Sequence, residues 1–320
     1  MKRPMLALGY LLLMLAGGLP ASAGDQFPTW AYPVNSPGLK PVPDDGIAKT
    51  VPNSTAAFTL TQIRDLFRPP DWHPDNHPVM PDVVGRGKSP GQFACGYCHL
   101  PNGLGRPENS SLAGLPAGYI AQQVAEFRSG ARKSSEAASL PVNYMIAVAK
   151  LVSEEDARIA AEYFAALKPS RWIRVVETAM VPKSKVGGWM LIEDGSGESE
   201  AIGERIIEMP EHLERTELRD STSGFIAYVP PGSIERGRQL ASTGGGKTMA
   251  CTSCHGLDLR GLGAVPGLAG RSPSYVVRQL YDFQHGVRDG QWAIMMKPVV
   301  AALTMADIVD LAAYTASLEP

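Results

Sequence analysis

The four cysteines of this 320-residue chain fall as two pairs, Cys95-Gly96-Tyr97-Cys98-His99 and Cys251-Thr252-Ser253-Cys254-His255. Each is Cys-x-x-Cys followed directly by His, the spacing at which c-type haem is attached. Two thiols one helical turn apart reach the two vinyl groups on one porphyrin edge, and the adjacent imidazole is delivered to the iron. A thioredoxin-like dithiol needs no His in both copies and belongs in a βαβ context, which is absent here. Zinc held by four cysteines normally has its pairs about 15–20 residues apart, whereas 152 residues separate Cys98 from Cys251. Disulfides within the pairs would close two strained short rings. The pattern implies two covalently bound haem c groups on Cys95, Cys98, Cys251 and Cys254, with His99 and His255 as iron ligands.

The elements that must position these groups are repeated. An offset of 156 carries Cys95 onto Cys251 and Leu112-Ala113-Gly114 onto Leu268-Ala269-Gly270. It also carries Tyr119, Gln123, Phe127, Gly130 and Arg132 onto Tyr275, Gln279, Phe283, Gly286 and Arg288. Beyond Arg132 the offset falls to 151, which matches Asp156, Tyr163 and Leu167 to Asp307, Tyr314 and Leu318. Two copies of one unit are present. Helical spacing marks Tyr119 to Ser129 and Tyr275 to Gln284. Ser153 and Thr304, each followed three residues later by Asp, read as N-caps of a closing helix. At the 151 offset Met145 meets Met296, shortly before each closing helix. A thioether there is a soft sixth ligand, and His/Met coordination raises the potential and favours electron transfer. Met295 is the rival to Met296, but it aligns with Tyr144, so register favours Met296.

Composition narrows the rest. The chain is 44% hydrophobic and 19% charged with a net charge of −2, which excludes fibrous and disordered classes and gives no basic face for nucleic acid. Lys2 and Arg3, an apolar run from Met5 to about Leu19, and Ala21-Ser22-Ala23 form a secretory signal. The run is short of the ~20 residues needed to cross a bilayer, so cleavage near Ala23 and a soluble exported product are expected. Gly24 to Pro81 holds eleven prolines and reads as an extended arm laid over the body. His73 and His77 lie in it, but no third metal donor is evident. Between the units, the runs Trp172–Val176, Trp189–Ile192, Ile206–Ile207 and Phe225–Val229 suggest strands with turns between them. The acidic stretch 198–220 reads as a solvated loop, and Arg132, Arg271 and Arg288 are either haem-propionate partners or surface arginines.

The two motifs resemble those of class I cytochromes c. Their tandem arrangement, Leu-Ala-Gly, the Tyr-x-x-x-Gln helix and a Met seven residues before the Leu-Thr of the last helix are similar to the di-haem c-four type. The resemblance covers about 95–168 and 233–320. It implies that Ser233–Gly237 belongs to a first helix whose Gly lets it cross the last helix near Tyr314. It also implies that the Pro266 carbonyl accepts a hydrogen bond from the axial His. The first unit has Ser110 in that place, and Gly85 is its best candidate for the crossing glycine. The expected organisation is a signal peptide (1–23), a proline-rich arm (24–80), haem c domain 1 (81–168), a β insertion (169–232) and haem c domain 2 (233–320). The fold class is mainly α: two class I cytochrome c domains in tandem, with the arm and a small β insertion.

The function implied is a periplasmic di-haem electron carrier, not an enzyme. Its partners would be redox proteins: an exported dehydrogenase as donor, an oxidase or cytochrome as acceptor. A di-haem peroxidase is the enzyme alternative, but those enzymes commonly carry a second histidine soon after the first motif. None occurs here between His99 and His212. A tightly bound cytochrome subunit of a dehydrogenase complex is the third reading, for which the arm and insertion speak.

Overall fold

A computed structural model describes residues 27–320; the expected signal peptide (1–23) lies outside them. The helices are α1 (Leu60–Ile63), α2 (Asp82–Gly85), α3 (Cys95–His99), α4 (Ala117–Ser129), α5 (Leu140–Leu151) and α6 (Glu154–Ala166), then α7 (Leu213–Glu217), α8 (Ser233–Thr243), α9 (Thr252–His255), α10 (Pro273–Gln284), α11 (Ala293–Val300) and α12 (Met305–Ser317). Between α6 and α8 run β1 (Ile173–Glu177), β2 (Met180–Pro182), β3 (Ser184–Gly187), β4 (Met190–Glu193), β5 (Ser199–Ala201), β6 (Ile207–Pro210) and β7 (Phe225–Val229). The architecture is helical with small sheets. Among the described residues no single helix is long and apolar enough to cross a membrane.

Caps start the closing helices where the hydroxyls are. The Ser153 hydroxyl accepts from the Asp156 amide at 3.0 Å. Thr304 and Asp307 satisfy each other's amides reciprocally, at 3.2 and 2.9 Å, which removes two of the helix's unpaired donors. α6 packs its Ala157, Ala160, Ala161 and Phe164 face against Ile120 on α4, and α12 packs Ile308, Leu311 and Ala312 against Val277 on α10.

The first helices of the two units differ. α8 crosses α12 so closely that a Cβ on Gly237 would lie 1.9 Å from the Asp310 carbonyl oxygen. Arg236 then clamps the Asp310 carboxylate with two bonds of 2.8 and 2.9 Å. In the first unit α2 has four residues, and a Cβ on Gly85 would meet only the Met80 side chain, at 3.3 Å. Gly85 is therefore not a crossing glycine; Val83 and Val84 make the contact with the core instead.

The strands form a sheet ordered β1-β7-β6, with β1 parallel to β7 and β7 antiparallel to β6, beside the pairs β2-β5 and β3-β4. Trp189 is not a strand residue. With Gly188 it makes the two-residue turn of the β3-β4 hairpin, at φ of 68° and 62°, the geometry that matches strand twist. The sheet joins the two cores: Ile173, Phe225 and Ala227 pack with the first, and Val229 with the second, as does Ile206 just before β6. The acidic stretch is not a solvated loop either. Glu208 and Asp220 are both 2% exposed. Glu208 accepts from the hydroxyls of Ser272 and Ser274 at the start of α10, where a helix N-terminus favours a carboxylate. Burial still pushes its carboxyl above the usual range.

The segment before α2 is more folded than an extended arm. Val51, Ile63 and Trp72 form a small core with Leu218 of the insertion, and Trp72 donates to the Leu218 carbonyl at 2.8 Å. Trp30, Ala31 and Tyr32 lie against the second core.

Candidate haem sites

Cys95, Cys98 and His99 occupy one short helix, α3, so the two thiols and the imidazole share one wall of a cavity. Met145, Val142 and Val148 of α5 line the same cavity, as do Ile120, Phe127 and Phe164. The free space is about 1350 Å³ counted out to its mouth. Nδ1–H of His99 donates to the Ser110 carbonyl at 2.8 Å. That bond fixes the tautomer and leaves Nε2 as the lone-pair nitrogen for a metal. Burial holds the ring below the usual imidazole range, hence neutral. The Cys95 thiol is pushed up to about 12 by burial, with Cys98 and Cys251 also raised. All four cysteines are unpaired. Thiols kept protonated in this way are poor disulfide-exchange groups.

The second site repeats the arrangement. His255 sits at the end of α9, and its Nδ1–H donates to the Pro266 carbonyl, also at 2.8 Å. Burial lowers its pKa as well. Met296 and Cys251 both border the second core. Met295, one residue earlier on α11, is 60% exposed, so helix geometry turns Met296 rather than Met295 inward. A porphyrin fits these donor sets: paired thiols, a neutral imidazole with its second nitrogen free, and in the first site a thioether lining the same cavity.

The sequence pattern did not reveal where the units meet. Tyr275, Arg278, Gln279 and Asp282 of α10 line the first cavity. Arg132 donates to Gln123 in its own unit and to Tyr275 and Gln279 across the contact, at 2.7–2.9 Å. Arg288 does the reverse, reaching Gln279 in its own unit and Tyr119 and Gln123 across it. Both arginines are 6% exposed, so neither is a surface arginine. No ion pair joins either to a carboxylate among the described residues, and Nε of Arg288 has no partner. The nearby Glu126 carboxylate favours the charge on Arg132, whereas Arg288 is bonded only to neutral groups, which is costly unless an anion joins it, as a propionate of a bound haem would. Arg271 also bridges the units, donating to the Ser111 carbonyl at 2.6 Å.

The arm histidines do not converge on a metal. Nε2 of His73 faces Asp220 at 3.0 Å and Nε2 of His77 faces Asp71 at 3.1 Å, and no cluster of three donors occurs among the described residues. Nδ1 of His77 faces the Pro78 carbonyl at 2.9 Å. With acceptors on both nitrogens the imidazolium is favoured, and the bond to Asp71 raises its pKa against burial. The stabilisation is therefore complete below the ordinary imidazole value and is lost as pH rises through the elevated one. Hydrogen exchange across residues 71–80 is expected to speed up over that rise in the holoprotein and to lose its pH dependence in His77→Gln. An unchanged profile in the variant would contradict the assignment.

The chain is similar to several known proteins. No protein-family model matches the chain. Cytochrome c-554(548) of Halomonas halodenitrificans is 38% identical over 80 residues, 25% of this chain and 96% of the relative. The thiosulfate dehydrogenase electron acceptor of Thiomonas intermedia is 27% identical over 231 residues, 71% of this chain and 80% of the relative. The structure of reduced cytochrome c4 from Pseudomonas stutzeri aligns at 24% identity and a TM-score of 0.47, covering 70% of this chain and 93% of that one. By its paired attachment helices and its likeness across nearly the whole of a cytochrome c-554(548), the chain belongs to the c-type cytochromes.

Proposed function

We propose that this chain is an exported, periplasmic di-haem carrier that takes single electrons from an exported dehydrogenase and passes them to an oxidase or another cytochrome. One observation carries the reading: each attachment helix ends in a His whose Nδ1 is tied to a carbonyl at 2.8 Å, and each has a Met in register on the helix before the closing one. The haem, when bound, supplies one-electron exchange at its iron. The protein's own groups set how that happens. Cys95 and Cys98, and Cys251 and Cys254, anchor the porphyrins. His99 with Met145, and His255 with Met296, would hold the irons, a ligand set that suits electron transfer. Ser110 and Pro266 hold the imidazoles in orientation, and Arg132 and Arg288 offset propionate charge. A dehydrogenase as donor is supported by the relative named a thiosulfate dehydrogenase electron acceptor.

Purified from a host that attaches haem c, the protein is expected to retain two haems per chain after denaturation and extraction. Both should be low-spin, with negligible peroxide turnover. A five-coordinate iron with rapid peroxide consumption would replace this reading with the peroxidase.

A further inference from the structure

The 156-residue offset allows the two attachment helices and the loops after them to be compared residue by residue, and their surroundings differ. Pro101, Leu104, Arg106 and Pro107 of the first loop are buried. Their counterparts Leu257, Arg260, Leu262 and Gly263 are exposed, Leu257 at 92% and Leu262 at 62%. Tyr97 within the first motif is buried, whereas Ser253 in its place is exposed.

The cover over the first loop comes from outside the repeat. Arg219 of the insertion lies 3.7 Å above the Tyr97 ring and donates to the Tyr97 carbonyl at 2.7 Å. Asn102 donates to the Ser221 carbonyl at 2.7 Å, and Arg106 reaches the Met190 sulfur at 3.6 Å. Pro69 of the arm stands where a Cβ on Gly96 would meet it, at 3.4 Å. Around the second loop the contacts are local: Arg260 bonds to Asp258 and to the Glu319 carbonyl, and Leu262 bridges to Val265.

We propose that the second haem site is the port through which this chain exchanges electrons with its partners, and that the arm and insertion seal the first site off from them. This rests on the carrier reading above. The exposed loop beside His255 presents Leu257 and Leu262 around Asp258 and Arg260, whose opposite charges lie 4.0 Å apart. The patch is apolar with no net charge, so it fits a redox protein with a near-neutral, apolar face around its own prosthetic group, and not a polyanion. One electron lost by that partner is gained at the second site. The first site is then filled from the second, inside the molecule.

The test uses the full di-haem protein. An uncharged gadolinium chelate is expected to relax the NMR signals of the second haem's substituents several-fold more than those of the first; equal relaxation would overturn the proposal. The Leu257→Asp/Leu262→Asp variant changes two exposed side chains and is expected to fold. Its second-order reduction by a ferrous mono-haem class I cytochrome c should slow roughly tenfold, with both midpoint potentials unchanged. An unaltered rate would also overturn it. A chain isolated without two covalent haems would instead defeat the carrier reading, and the port with it.

Discussion

Alanine at Met296 is expected to abolish the thioether–iron absorption of one haem and leave that of the other untouched. The affected potential should fall, because a methionine sulfur favours the reduced iron. Met145→Ala is expected to do the same to the other haem, and the double variant to lose the signal entirely. The control is one residue away. Met295 is 60% exposed, so Met295→Ala should leave both spectra and both potentials as they were. Redox titration with visible and near-infrared spectra of the four proteins decides the matter. Loss of a thioether band in Met295→Ala would shift the ligand assignment by one position.

Gly237→Ala should be among the most damaging single-methyl additions in the second unit. The new Cβ would lie 1.9 Å from the Asp310 carbonyl oxygen and 2.8 Å from the Tyr314 Cβ. These are backbone and helix-anchored atoms that cannot turn aside, so α8 and α12 must separate. A cost of about 2 kcal/mol or more is expected, which lowers the melting midpoint by roughly 3 °C or more in a chain of this size. Gly85→Ala, in the short first helix of the other unit, would come no closer than 3.3 Å to the Met80 Cβ, a contact that a shift of a few tenths of an ångström relieves, and should cost less than about 1 kcal/mol. Calorimetry of the two holoproteins separates them; equal losses would mean that the units cross alike after all.

That contrast shows what could be read in advance. Features set by neighbours in the chain were legible: the Cys-x-x-Cys-His turns, the hydroxyl caps at Ser153 and Thr304, and the helix read over 275–284, which starts two residues earlier. The crossing at Gly237 was legible through the resemblance, because α8 has the full pattern there; the four-residue α2 has too little of it. Trp189 was misplaced because an aromatic β-former sits in a hairpin turn, where the Asn35 side chain holds its amide at 3.1 Å. Charged residues misled for a different reason. Glu208 is buried by serines 64 and 66 positions away, and Arg132 by groups 143 and 147 positions away. Nothing adjacent to either in sequence reports such burial. The offset did place Tyr119, Gln123 and Arg132 beside Tyr275, Gln279 and Arg288 as equivalents; that these equivalents also touch each other emerged only from the fold.

The exchange of bonds between Arg132 and Gln279, and between Arg288 and Gln123, is the signature of an isologous contact: each half gives what it receives, as two identical subunits do across a dyad. Here both halves belong to one polypeptide. The self-complementary patch is thus consumed within a single molecule and closed, so a second copy of the chain finds no matching surface there on which to dimerise.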